Sequence, residues 1–170
     1  MRTFLIAFLI LFVCFAAKAQ DTQTKEVSSE DAFEYDCEPN NGDIGYVEDG
    51  KIIKIIDEDT VAFRSDKGLI RQVNLIGINS KKNKTEAKAF LEKNVLNVQV
   101  ALIFRSFPSE KVNVKGIIQI DKKNINQMMI EQGFALYKNS KPYQISSYDA
   151  CVFQKSEEKA KKAKLGIWAK

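Results

Sequence analysis

From Gly45 onward the chain alternates between Val/Ile-rich runs of strand length and short polar breaks. Runs over residues 52–56, 60–64, 70–76, 98–104 and 112–120 predict five β-strands. Asp57-Glu58-Asp59, Asp66-Lys67-Gly68 and Asp121-Lys122-Lys123 supply the turn chemistry at their ends. Helical spacing takes over in three places. Ala87, Phe90, Leu91 and Val95 recur at helical intervals after Asn83, and Glu86 three residues beyond Asn83 has the form of a capping box. A second helix begins after Asn124, carries Ile125, Met128 and Met129, and stops at Gly133. A third spans residues 148–164 and ends before Gly166. Three strands, a helix, two strands and two closing helices predict an α+β fold: a five-stranded OB-type β-barrel decorated with three helices.

The pattern ahead of this domain differs. Arg2 precedes an apolar run over residues 4–17 that closes in Ala17-Lys18-Ala19, the form of a secretory signal with its cleavage site. The competing reading is a membrane anchor, but the run is shorter than the roughly 20 apolar residues a spanning helix needs. Cys14 lies inside the run and is followed by Phe15, which does not fit a lipoprotein box. Residues 1–19 are therefore expected to be a signal peptide and 20–44 a flexible polar segment in which Phe33, Tyr35 and Cys37 are the anchors. Residues 45–170 form one domain, long enough for a single core. The mature chain is expected to be secreted or periplasmic, with no membrane span.

Charge adds little by its total. The 26 basic and 22 acidic residues give +4, and loss of Arg2 and Lys18 with the signal removes two of these charges. A dedicated nucleic-acid binder is usually far more basic. The distribution says more: Lys81, Lys82, Lys84 and Lys88 cluster in one stretch, and Lys155, Lys159, Lys161, Lys162 and Lys164 in another. Such clusters are either solvated faces or anion-binding surfaces. The chain has no histidine, so Cys–His nucleophiles, Ser–His triads and Cys/His zinc sites are excluded. Cys37 and Cys151 remain after processing, and an exported protein meets an oxidising compartment. A Cys37–Cys151 disulfide is expected, with two unpaired thiols as the alternative. Asn83-Lys84-Thr85 fits a glycosylation acceptor, which has meaning only in a host that glycosylates exported proteins.

Several segments together carry a resemblance. Ile56-Asp57-Glu58-Asp59-Thr60-Val61, Val73-Asn74-Leu75-Ile76-Gly77-Ile78-Asn79-Ser80, Glu86-Ala87-Lys88-Ala89-Phe90, residues 125–135 and the run from Lys155 to Trp168 follow one another in this order. Content and order resemble the staphylococcal nuclease (thermonuclease) family over about residues 50–168. The resemblance implies an enzyme that hydrolyses DNA and RNA phosphodiesters. A calcium ion and two arginines neutralise the phosphate while a glutamate activates water. A hard cation needs several oxygen ligands, charged carboxylates among them; the developing charge needs fixed cationic donors; and the water needs an ionisable base.

Carried over residue by residue, that machinery is largely replaced. Asp59 matches the first metal-binding aspartate and Asp57 the acidic position before it, although an Asp-x-Asp-Thr turn also joins two strands with no metal at all. Asn79 stands where a second carboxylate binds calcium, and its amide brings no negative charge. Ser80 offers only a backbone carbonyl. Asn74 replaces the first arginine, so a charged fork becomes a neutral amide. Lys82 occupies the base position as a cation. Lys115, before Gly116, falls at the second arginine and keeps charge without the two-pronged geometry. Arg71 and Glu86 are the nearest substitutes in sequence. Arg71, however, falls on the opposite strand face from Asn74, and Glu86 serves its helix cap. Tyr137 is similar in position to a tyrosine that lines the family's nucleotide pocket, with Lys138 beside it to meet a phosphate; the other reading makes Tyr137 a support for the last helix. Trp168 sits where the family closes its core, which implies a structural role.

The reading that follows is a secreted, catalytically impaired thermonuclease-like domain, a pseudoenzyme with no cofactor. It binds single-stranded nucleic acid, or an extracellular protein or glycan partner, in the barrel groove. The alternative is an active metal-dependent extracellular endonuclease that uses Ca2+. A third possibility is an interaction or structural protein with no ligand in the groove.

Overall fold

The computed structural model describes residues 37–38, 45–105, 113–140 and 144–169. The expected signal peptide lies outside the described residues, as does the lead-in apart from Cys37 and Glu38. The expected barrel is present. Strands β1 (Tyr46–Ile55), β2 (Thr60–Ser65), β3 (Ile70–Leu75), β5 (Gln99–Phe104) and β6 (Asn113–Ile120) are ordered β3-β2-β1-β5-β6, and a parallel β3–β6 pairing closes them. Alternation drives the closure: Val61 and Phe63, Val73 and Leu75, Val100 and Leu102, and Val114 and Ile118 all turn inward. Two-residue strands β4 (Ile78–Asn79) and β8 (Leu136–Tyr137) pair with each other, and β7 (Lys123–Asn124) pairs with β6. Helices α1 (Lys84–Asn94), α2 (Ile125–Glu131) and α3 (Ser147–Lys162) complete the fold.

Four details depart from expectation. β1 begins at Tyr46 because Tyr46 to Lys51 each find a partner on β5, a ladder that the polar residues of this stretch do not announce. The short strands β4 and β8 have too few residues to show any period. Asn83 makes no side-chain cap, since its backbone (φ −142°, ψ 53°) is not in the extended cap conformation; Glu86 is exposed in the first turn. The third helix starts earlier than expected, after Ser146, whose Oγ accepts the Asp149 N–H at 2.7 Å.

The other caps follow their sequence signals. Asn124 Oδ1 accepts the Gln127 N–H at 3.1 Å. Gly133 sits at φ +70° after α2, where its N–H reaches Ile130 O and the next N–H reaches Met129 O. A Cβ on Gly133 would lie 2.2 Å from Leu165 O, so packing demands glycine as well. Lys164 holds the equivalent left-handed position after α3, with φ +53°.

Two long-range ties hold these layers together. Cys37 and Cys151 form a disulfide across a sequence separation of 114, with Cα atoms 6.0 Å apart. Asn126, fully buried in α2, donates to Ile76 O (2.9 Å) and Gly116 O (3.2 Å) and accepts from Ile118 N (3.2 Å). The helix is thereby bonded to β6 and to the end of β3. Among the described residues no helix is long and apolar enough to cross a membrane.

Candidate functional site

The β1–β2 turn is built by its own acids. Asp57 Oδ1 accepts the Asp59 N–H at 3.0 Å, and Ile56 and Asp57 N–H groups converge on Thr60 O at 2.9 and 3.1 Å. The Asp59 carbonyl accepts the Leu75 N–H at 2.8 Å, which fixes the turn against β3. Pairing then lines up the polar groups: Thr60 lies opposite Asn74, and Asn74 opposite Lys115. Thr60 Oγ1 is 3.1 Å from Asp59 Oδ1 and 3.2 Å from Asn74 Oδ1, and donates its one proton to either.

Beyond Asn74 the chain leaves the barrel through Leu75-Ile76-Gly77-Ile78, the floor of a cleft of about 390 Å³. Gly77, at φ +76°, passes so close beneath α3 that a Cβ would lie 2.6 Å from the Phe153 ring and 2.9 Å from Ile145 Cδ1. Lys138 anchors the opposite wall through its N–H to Gly77 O at 2.9 Å. Asn139, Ser140 and Gln144 continue that wall. Asp59, Asn74, Lys115 and Lys138 line the cleft, bringing one carboxylate, one amide and two ammonium groups to it.

The carboxylate is not neutralised by the lysines. Burial pushes the Asp59 carboxyl above its ordinary value of 3.8, with Asp57 and Glu58 adding repulsion and the Thr60 hydroxyl acting the other way. Lys115 and Lys138 are both exposed, so an incoming anion meets cations that Asp59 has not claimed.

Other candidates from the sequence lie elsewhere. Asn79 does not line the cleft; its Oδ1 accepts the Lys81 N–H at 3.2 Å. Lys82 is exposed on the loop after β4 and does not line the cleft either. Asp57 borders a separate depression with Glu58, Lys84 and Lys88, where Lys84 pairs with Glu58 at 3.3 Å. Tyr137 and Phe153 meet edge to face, centroids 6.5 Å apart, and the Tyr137 N–H meets Glu157 Oε1 at 3.0 Å. Both contacts are to α3. Burial raises the Tyr137 phenol above its ordinary range. Arg71 faces inward and pairs with Glu48 at 2.9 Å, away from Asn74. The part played by Asn139, Ser140 and Gln144 in the wall, and the Asn126 hub, were not anticipated. The signal that could have found Asn126 is its helical spacing with Met129 and Ile130, which puts a polar residue on the buried face.

Calcium would find few ligands in this donor set. Among the described residues Asp59 is the single carboxylate lining the cleft, Asp57 Oδ1 holds the Asp59 N–H, and the Asn79 amide holds Lys81. Among the described residues no group of three or more Asp, Glu, His or Cys side chains gathers that could hold a metal ion. The described donors do not fit a hard cation that needs several charged oxygens.

A family model described as staphylococcal nuclease homologue matches residues 69–170. The matched span contains Asn74, Asn79, Lys82, Lys115 and Tyr137, while Asp57 and Asp59 lie ahead of it. No curated protein matches the chain.

Proposed function

Because the chain belongs to the staphylococcal nuclease homologue family, we propose that it is an exported, catalytically impaired member whose cleft binds single-stranded nucleic acid by its phosphate backbone without a metal. The observation that carries this reading is the cleft's composition: Lys115 and Lys138 beside a half-buried Asp59 hydrogen-bonded to Thr60. Two exposed ammonium groups attract a phosphate oxygen as point charges, and the amides of Asn74, Asn139 and Gln144 supply neutral hydrogen bonds around it. Hydrolysis needs more. With an amide at position 74, a lysine at 82 outside the cleft and one carboxylate, the described residues bring to the cleft no bidentate cation, no general base at the water's position and no calcium cage. The disulfide is compatible with an extracellular location.

The test is retention of the purified mature protein on single-stranded DNA with excess chelator present. Binding is expected to weaken steeply with salt, and Lys115→Ala with Lys138→Ala to lower the log–log salt slope by up to about 0.7 for each phosphate no longer neutralised. Absence of retention at low salt refutes the binding role. Calcium-dependent cleavage of denatured DNA, abolished by Asp59→Ala, refutes the impairment and establishes the endonuclease alternative.

A further inference from the structure

The disulfide and the cleft meet on α3. Cys151 lies in the early turns of this helix, one residue before Val152 and two before Phe153, both buried. Phe153 and Ile145 press on Gly77 in the cleft floor, and Gln144, just ahead of the helix, belongs to the cleft wall. On the other side of the bond, Cys37 is half-buried and packs against the core. The start of α3 is therefore held from two directions: by Phe153 and Ile145 above the floor, and by a covalent tie to a segment distant in sequence. The cap formed by Ser146 and Asp149 orders the turn between wall and helix, but a cap can open where a disulfide cannot.

We propose that the Cys37–Cys151 disulfide is a redox latch on the cleft, setting its affinity for an anionic strand. This rests on the reading of the cleft as a ligand site. In the oxidised chain the early turns of α3 keep Ile145 and Phe153 on Gly77 and hold Gln144 in the wall. Reduction by a dithiol passes two electrons and two protons to the cysteine pair, giving two protein thiols and the reagent's cyclic disulfide. The early turns of α3 then open more often, and the wall they carry opens with them. Linkage makes the effect reciprocal: a ligand that binds the latched cleft more tightly shifts the disulfide–dithiol equilibrium toward disulfide by the same factor.

The experiment uses the full mature chain with a fluorescent oligothymidine as probe. Oxidised protein, protein reduced by dithiothreitol, and the Cys37→Ser/Cys151→Ser variant are titrated side by side, with near-UV circular dichroism recording the native state. Affinity is expected to fall roughly fivefold or more on reduction and in the variant. In a dithiothreitol redox buffer, saturating probe should shift the disulfide–dithiol midpoint by a matching factor. Amide exchange should quicken at residues 144–153 and not in β1, β2 and β5. Equal affinities of oxidised and reduced protein, within twofold, overturn the latch. So does loss of the native signal in the double variant, because the disulfide would then hold the whole fold and not the cleft. Failure of the oxidised protein to bind any probe refutes the cleft reading beneath it, a result distinct from either.

Discussion

Replacing Asn126 tests most directly how the cleft floor is held. Its amide makes three bonds from a fully buried position, to Ile76 O at 2.9 Å, Gly116 O at 3.2 Å and Ile118 N at 3.2 Å. Asn126→Ala removes all three. The Gly116 carbonyl keeps the Ile76 N–H at 3.0 Å, while the Ile76 carbonyl and the Ile118 N–H lose this partner. At about 1–3 kcal/mol for each buried group left unpaired, the expected cost is roughly 2–6 kcal/mol, reduced if a water enters the space. Asn126→Asp is the sharper probe. One oxygen can still accept from Ile118, but the other faces two carbonyls and bonds to one only when protonated. Burial and the carbonyls therefore raise the introduced carboxyl's pKa in the folded chain. The folded state then binds the proton more tightly than the unfolded state, so stability is present at low pH and is lost as pH rises above the ordinary carboxyl value. Urea unfolding followed by circular dichroism, with the disulfide intact and wild type measured at each pH, reads the difference. The deficit of Asn126→Asp should be at least that of Asn126→Ala at pH 7 and shrink toward pH 4. A cost below about 1 kcal/mol for Asn126→Ala, or a deficit of Asn126→Asp that does not change with pH, refutes the hub.

Other outcomes follow from the same geometry. The Asp59 carboxyl is raised above 3.8 chiefly by burial, so the folded chain loses stability as pH climbs through that raised range. Asp59→Asn should therefore raise the melting temperature at pH 7, strengthen retention on single-stranded DNA, and lose its stabilising effect at low pH; a lower melting temperature at pH 7 contradicts the burial argument. Lys122 (φ +65°) and Lys164 (φ +53°) occupy left-handed positions that suit glycine. Lys122→Gly and Lys164→Gly should each gain about 0.5–1 kcal/mol in urea unfolding, net of glycine's greater unfolded-state entropy. The Cys37→Ser/Cys151→Ser variant releases a loop closed over a separation of 114. The chain-entropy model gives a loss of up to roughly 4.8 kcal/mol, readable as a lower urea midpoint; an unchanged midpoint contradicts it.

Much of this molecule was legible along the chain. Inward-facing pairs such as Val61 with Phe63 and Val73 with Leu75 mark strands because a pleat repeats every two residues. Asn124 and Gly133 mark the limits of α2 because an amide oxygen and a left-handed glycine satisfy helix ends locally. The same local logic failed at Asn83, where the loop from β4 arrives with a backbone conformation that turns the side chain away from the cap.

The pattern of side chains thus determined the barrel, its helices and the cysteine pair available for bonding, since periodicity and capping act over a few neighbours. Where the cleft lies and what it contains were decided in three dimensions. Parallel pairing of β3 with β6 sets Lys115 opposite Asn74, and the two-residue β4–β8 ladder brings Lys138 to Gly77. Asn79, Lys82 and Tyr137 do not line the cleft: a local bond to Lys81 engages Asn79, the Glu157 bond and the Phe153 contact engage Tyr137, and Lys82 stays in solvent. The Asn74–Lys115, Gly77–Lys138 and Tyr137–Glu157 contacts join residues far apart in sequence, and only the folded chain brings them within reach.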